Sequence, residues 1–439
     1  MFNPEFRRNL WLEVTPHRLI GMPLVLGAMF LLAYLLNDQE WGQGVANLAL
    51  TLCGLISMLW GASLAAESIL SEVRSHTWEN QRMSAMSAWD MSWGKLLGAT
   101  IYSWYGAAIC LLVYLTSADK PFSVVIKVML LFVLCGLFSQ SVALVASLQI
   151  LKKDRSVARS QATVYAVFGL MAAAPLLQLA FNQKISAEWY GITMNYMDFV
   201  LISLVFYVAW AWIGIYHAMR SELQMQHGIW GWTLFVIWLM GYLMGFVDDA
   251  LVMRWGGVGS SRLLVACLVA LVLTYLMIFV ESKDPVIFLR LKTMFEQKKW
   301  QQISRILPCW FITLLFAFMI CMTLASVFPV GKGFESSLFF VALYLFVLRD
   351  VCIILWVNFS QQRKRADITA VLYLIVLYGL LPSIANATGL DILDIFFFPQ
   401  GEGNAFMGTC IVAVQFAIVL WFTKKRWQSN YDIRTVVHE

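Results

Sequence analysis

Apolar residues gather in runs of about 20 along this chain, at 18–36, 45–66, 96–116, 122–150, 161–181 and 197–219. A second set follows at 229–247, 261–281, 306–329, 337–359, 368–388 and 405–423. Helices of that length and character cross a bilayer core, so the pattern predicts an all-α polytopic membrane protein of about 12 transmembrane helices. An even number of spans places both termini on one side. Most connections are short, with two exceptions. Residues 67–95 carry Glu67, Glu72, Arg74, His76, Glu79, Arg82, Asp90 and Lys95 between two apolar runs, and residues 282–305 form a longer, basic connection. Such stretches cannot lie in hydrocarbon and must meet water or another protein.

Ahead of the first run, Asn3 suits a helix cap, Pro4 the first helical position and Glu5 the positive helix end. Phe6, Leu10 and Val14 recur on one face, which predicts a short helix lying along the membrane surface. Arg18 precedes the first apolar run, and no short h-region with a small-residue cleavage site follows, so that run is expected to remain as a span.

The two halves match in order. A shift of 214 residues puts Glu67-Ser68 on Glu281-Ser282 and the LFVL at 131–134 on the LFVL at 345–348, with short and long loops in the same sequence. This predicts two six-helix pseudo-repeats, 1–219 and 220–439, joined near 220–228. In each half the fifth and sixth runs are joined by a longer, partly apolar segment, 182–196 and 389–404. Trp189, Tyr190, Tyr196 and Phe396 to Phe398 suit a membrane interface, and both segments are expected as short external helices.

Composition agrees with the pattern. Hydrophobic residues make up 60% of the chain, charged residues 13%, and the mean hydropathy is +0.72, far from a soluble domain. Of the 31 Lys and Arg, 24 fall at the termini and even-numbered connections, six on the opposite side, and Arg349 inside a span. The positive-inside rule then makes both termini cytoplasmic, in a multi-pass protein of the cell (inner or plasma) membrane. Basic loops of this kind explain the net charge of +5, which implies no nucleic-acid partner. The eight cysteines lie in or beside apolar runs and are read as small core residues.

Catalytic chemistry is not visible. Gly94-Lys95 and Gly331-Lys332 lack the flanking residues of a phosphate-binding loop, and Gly256-Gly257-Val258-Gly259 reads as a flexible turn. The five histidines have no metal-ligand spacing, and no nucleophile elbow occurs. The chain is therefore expected to be no enzyme and to hold no metal or cofactor of its own. Arg349-Asp350 falls about twelve residues inside the tenth run, where a charge costs roughly 2.5 kcal/mol or more. Neighbours on a helix point about 100° apart, so at least one is expected to find a partner on another span, lining or gating a path or stapling two helices. Glu67 and Glu281 end spans, are candidates for the same path or gate, and are expected to pair with the basic N-terminal region.

The 67–95 stretch contains Glu72, Thr77-Trp78-Glu79, Gln81-Arg82, Ser84 and Trp93-Gly94-Lys95-Leu96. These residues resemble the loop after the second span in permease subunits of the type-2 ABC exporter family. The order of parts is also similar: an N-terminal "elbow" helix, two spans, this loop, then four more spans. The motif covers about 30 residues, the architecture 1–219 closely and 220–439 loosely. Two departures stand out: His76 replaces the family's usual Gly, and 282–305 has no Thr-Trp-Glu cluster, as a degenerate counterpart.

The resemblance implies a coupling helix docking on a separate ATP-binding cassette ATPase subunit, which would hold ATP and Mg. Glu72, Thr77, Trp78, Glu79, Gln81 and Arg82 would make that contact, the charges steering and Trp78 anchoring. Either one chain supplies the pair of six-span domains or a second permease chain completes it, with membrane lipid as the other partner. A twelve-span secondary transporter of the major facilitator type also fits the span count, although 67–95 lacks that class's short Gly/Asp/Arg-rich signature. A non-transport membrane scaffold is the third reading.

Overall fold

A computed structural model describes residues 3–84, 86–153, 162–182, 186–225, 228–247, 252–253, 255, 257–328, 337–360, 365–388, 396–397 and 405–436. The chain is an all-α polytopic membrane protein. Among the described residues, ten helices are long and apolar enough to cross a membrane, and one further pair, bent by 50°, passes the same test together. The described chain divides into two compact units, Met1–Glu188 with Ile192–His227, and Trp189–Gly191 with Gly228–Glu439. The basic connections at 154–161 and 361–364, the glycine turns at 256 and 331–333, and most of 389–404 lie outside the described residues.

The first unit opens with α1, Pro4–Glu13, whose Asn3 cap accepts from Glu5 N at 2.8 Å and Phe6 N at 3.3 Å. Then come α2 (Pro16–Leu36), α3 (Gln43–Arg74), the short α4 (Trp78–Arg82), and α5 (Ala88–Ala99) bent into α6 (Ile101–Ser117). The unit continues with α7 (Phe122–Lys153), α8 (Ala162–Ala180) and α9 (Tyr196–Glu222). Two corrections concern boundaries. Helix α3 runs on to Arg74 and α5 begins at Ala88, so the polar stretch expected as a loop over 67–95 is irregular only around α4. The segment expected as an external helix instead holds two strands, β1 (Ala187–Trp189) and β2 (Ile192–Met194). Tyr190 (φ 51°) and Gly191 (φ 77°) turn the chain between them, in the left-handed pair that tight hairpins require.

Midway along α3, Leu55–Trp60 forms a π-turn, which opens the regular hydrogen-bond ladder. The carbonyls it exposes are taken by α7: Ser139 Oγ donates to Met58 O at 2.7 Å and Gln140 Nε2 to Ser57 O at 2.9 Å. Trp104 Nε1 then donates to Gln140 Oε1 at 3.0 Å, so three helices share one buried polar knot. In a membrane this satisfaction must be internal. Around it, small residues such as Val45, Ala49, Cys53, Cys110 and Cys135 are buried and let helices approach.

The second unit comprises α10 (Trp230–Met244), α11 (Val258–Val280), α12 (Pro285–Glu296), α13 (Trp300–Ile306), α14 (Cys309–Val327), α15 (Ser337–Asn358), α16 (Ala366–Ala387) and α17 (Ala405–Val436). Its core joins α10, α11, α14 and α15 through residues such as Val236, Ala266, Ala317, Phe340 and Ile354. Six of the eight cysteines are buried as small core residues; Cys309 is half-buried and Cys410 exposed, and all eight are free.

Candidate functional site

The polar stretch after α3 is organised by helix α1 and the start of α5. Asn3, Glu5 and Asn9 face inward from α1. They meet Gly94 and Gly98 on α5, where an added Cβ would stand 2.9 Å from Glu5 Cβ and 3.0 Å from Asn9 Cβ. Two small residues four apart make a groove that lets helices approach closely. Asn3 Nδ2 closes the contact by donating to Asp90 O at 2.5 Å. The loop's Gly-Lys pair thus sits inside a helix, and Gly94 seats α1.

Lys95, fully buried, lies under this crossing. Its Nζ donates to Glu5 Oε1 at 3.0 Å and to Glu72 Oε2 at 2.5 Å. Arg8 pairs with Glu5 Oε1 at 2.9 Å and also with Glu72 Oε1. Gln81 Nε2 adds a bond to Glu72 Oε1 at 2.8 Å. Two carboxylates and two cations compensate each other, which makes the burial tolerable. The network ties α1, the end of α3, α4 and α5 into one block. Trp78 packs over it, 2% exposed, with its ring 5.5 Å from Lys95 Nζ.

The connection from α3 to α4 is equally tight. Thr77 N donates to Glu72 O and His76 N to Val73 O, the paired bonds of a Schellman turn. His76 occupies its left-handed position at φ 58°. Glycine would have no steric penalty at that positive φ, whereas His76 carries a side chain there.

The expected docking residues thus separate into two groups. Glu72 and Trp78 point into the chain, and Gln81 reaches in toward them, so Trp78 anchors its own block and is not presented for an outside partner. Thr77 and Glu79 are exposed, and Arg82 pairs with Glu79 at 3.1 Å; Met83, which is not among the expected residues, is 79% exposed beside them. Trp89 adds an exposed indole resting edge-on against Tyr216. Glu67 does not pair with the N-terminal region; Arg74, one face along the same helix, holds both its oxygens at 2.7 and 2.6 Å. The carboxylate that does reach the N-terminal helix is Glu72.

In the second unit Glu281 caps α14, both its oxygens accepting from Cys309 N at 3.0 Å. Arg349 and Asp350 are buried and bonded to each other, at 3.0 and 3.1 Å. The remaining donors of Arg349 reach Gln415 Oε1 (2.7 Å), Phe396 O (3.4 Å) and Tyr378 Oη (2.7 Å). Tyr275 and Tyr378 both donate to Asp350 Oδ2, at 2.7 and 2.6 Å. Every donor of the guanidinium and both carboxylate oxygens are engaged, so the group joins α11, α15, α16 and α17 and leaves no donor free for a ligand. Such a set of bonds ties four helices together.

Sequence reasoning missed Glu5, Arg8 and Lys95 as one network, and Ser139, Gln140, Tyr275, Tyr378 and Gln415 as partners inside spans. Gln140 and Gln415 had a signal, since an amide amid apolar residues needs a partner. Gly94 and Gly98 had another, in their spacing. Among the described residues, no three His, Cys, Asp or Glu side chains are placed to hold a metal ion. No protein-family model matches the chain, and neither does any curated protein or solved structure.

Proposed function

We propose that the chain is the membrane-spanning permease subunit of an ATP-binding cassette transporter of the exporter type, driven by a separate ATPase subunit that docks on the α3–α5 connection. One observation carries the reading: α4, exposed at Glu79 and Asn80, is tied by Gln81 to Glu72, whose buried ion network joins α1, α3 and α5. A soluble motor needs such a stiff contact, because force applied to a loose loop would not reach the spans. Thr77, Glu79 and Met83 form the outer face of that block, with Arg82 half-buried against Glu79, while Glu72, Trp78 and Gln81 hold it rigid.

Twelve spans in two sets of six follow if the bent pair α5–α6 and the 15-residue α10 each count as one. The distribution of Lys and Arg then supports cytoplasmic termini in the cell membrane. ATP and Mg would reside on the partner, and this chain would supply no catalytic group. Purification of the chain from its native membrane tests the reading: an ATP-hydrolysing subunit is expected with it, and Glu79→Arg together with Met83→Asp should release that subunit without lowering the yield of folded chain. Retention of the ATPase by this variant contradicts the docking site.

A further inference from the structure

The connection between α11 and α14 differs from its counterpart in the first unit in both shape and charge. Helix α12 and helix α13 form a hairpin whose base is pinned: Glu281 holds Cys309 N, and Trp427 Nε1 donates to Pro285 O at 3.3 Å. Its far end is not buried. Phe295 is 62% exposed and Trp300 61%, their rings edge-on at 5.4 Å. Between Arg290 and Lys299 the sequence places four cationic side chains and one carboxylate, Glu296, and all five are exposed. Among the described residues the carboxylate pairs with Lys292, at 4.0 Å.

The turn itself reinforces this. Lys298 N donates to Phe295 O and Lys299 N to Met294 O, a Schellman turn whose left-handed position is filled by Lys298 at φ 53°. Glycine would have no steric penalty there, and the chain carries a cation instead. Two exposed aromatic rings flanked by Lys and Arg are the chemistry of a surface that enters a headgroup layer: the rings take the boundary with the acyl chains, the cations the phosphates. Both ends of the hairpin are tied to the ends of α11 and α14, which are apolar enough to span, so a hairpin lying along the membrane surface holds its tip in that layer, about 18 Å from the base.

We propose that the α12–α13 hairpin is a binding surface for anionic lipid headgroups, with Phe295 and Trp300 inserted at the interface and Arg290, Lys292, Lys298 and Lys299 bound to lipid phosphates. The second unit's long connection is on this reading a lipid anchor and not a second ATPase handle.

The test is amide hydrogen exchange on the full chain in nanodiscs of phosphatidylcholine alone, or with about one quarter phosphatidylglycerol. Anionic lipid should slow exchange over residues 290–305 by about fivefold or more, and salt at about 0.5 M should remove most of the effect. Residues 75–84 serve as the internal control and should not change. Lys292→Gln with Lys298→Gln should abolish the lipid dependence; Phe295→Ser with Trp300→Ser should weaken protection in both lipids. Equal exchange in the two lipids overturns the proposal, as does protection that survives loss of the lysines. Protection that appears only when an ATP-hydrolysing subunit is added, whatever the lipid, also overturns it.

Discussion

Lys95, with no exposed surface, donates to Glu72 Oε2 at 2.5 Å across 23 residues of sequence, and the same ammonium reaches Glu5 on the N-terminal helix. One side chain thus decides whether α1, α3, α4 and α5 move together. Removing it leaves two buried carboxylates with only the half-exposed Arg8 to balance them. Breaking a buried pair in this way costs about 3–5 kcal/mol. Lys95→Met should therefore lower the unfolding midpoint in detergent well below wild type. Lys95→Met with Glu5→Gln and Glu72→Gln should recover much of the loss, as the uncompensated charges disappear. An unchanged midpoint for Lys95→Met contradicts the network.

The seat of α1 can be tested separately. A side chain at Gly98 meets Asn9 Cβ at 3.0 Å from its first carbon onward, and the backbone of Phe6 at 3.3 Å. Gly98→Leu should lift α1 off α5 and speed tryptic cleavage after Arg7 and Arg8, while Gly98→Ala should do so far less. Cleavage at the wild-type rate in Gly98→Leu would show that α1 is held elsewhere.

The π-turn in α3 has its own test. Gln140 satisfies Ser57 O and is itself held by Trp104. Gln140→Leu strands a carbonyl and an indole N–H, at a cost of about 1–3 kcal/mol. Thermal unfolding in detergent should register that loss, and Trp104→Phe in the Gln140→Leu background should cost little more. Additive losses would mean that the two residues do not act as one group.

For Arg349 and Asp350 a staple and a ligand site give opposite results. Arg349→Leu leaves a buried carboxylate and should destabilise by about 3–5 kcal/mol, whereas Arg349→Leu with Asp350→Leu should be much closer to wild type, because no charge is left unpaired. If the double variant folds normally and transport falls to background, the pair serves a path and the staple reading fails.

The spans were legible because hydrophobic length is a local property: each apolar run needs only its own residues to declare itself. The Asn3 cap and the helix from Pro4 were legible for the same reason. The block around Lys95 was not, since its partners come from positions 5, 8, 72 and 81 and no local pattern pairs them. Trp78 illustrates the consequence. An aromatic residue in a polar stretch reads as an outward anchor, yet a cation beneath it and helices around it bury it in its own chain. Tyr190-Gly191 is a different case. The pair carried a turn signal, but the apolar residues around it suggested a helix.

That burial also decides how docking should be probed. Trp78→Ala would open the core, at about 3–5 kcal/mol, and lose the partner through misfolding. Glu79 and Met83 are free of that ambiguity, being exposed and outside the buried network. The proposed docking site for an ATPase is the outer face of α4. The most direct measurement is affinity purification of the full chain from its native membrane, wild type beside Glu79→Arg with Met83→Asp, with ATP hydrolysis and the bound subunit quantified at equal yield of folded chain. An ATPase is expected at near-stoichiometric amount with the wild type, and a loss of at least about tenfold with the variant, roughly 1.4 kcal/mol of binding. An ATPase bound equally to both chains, or none bound to the wild type, contradicts the proposal.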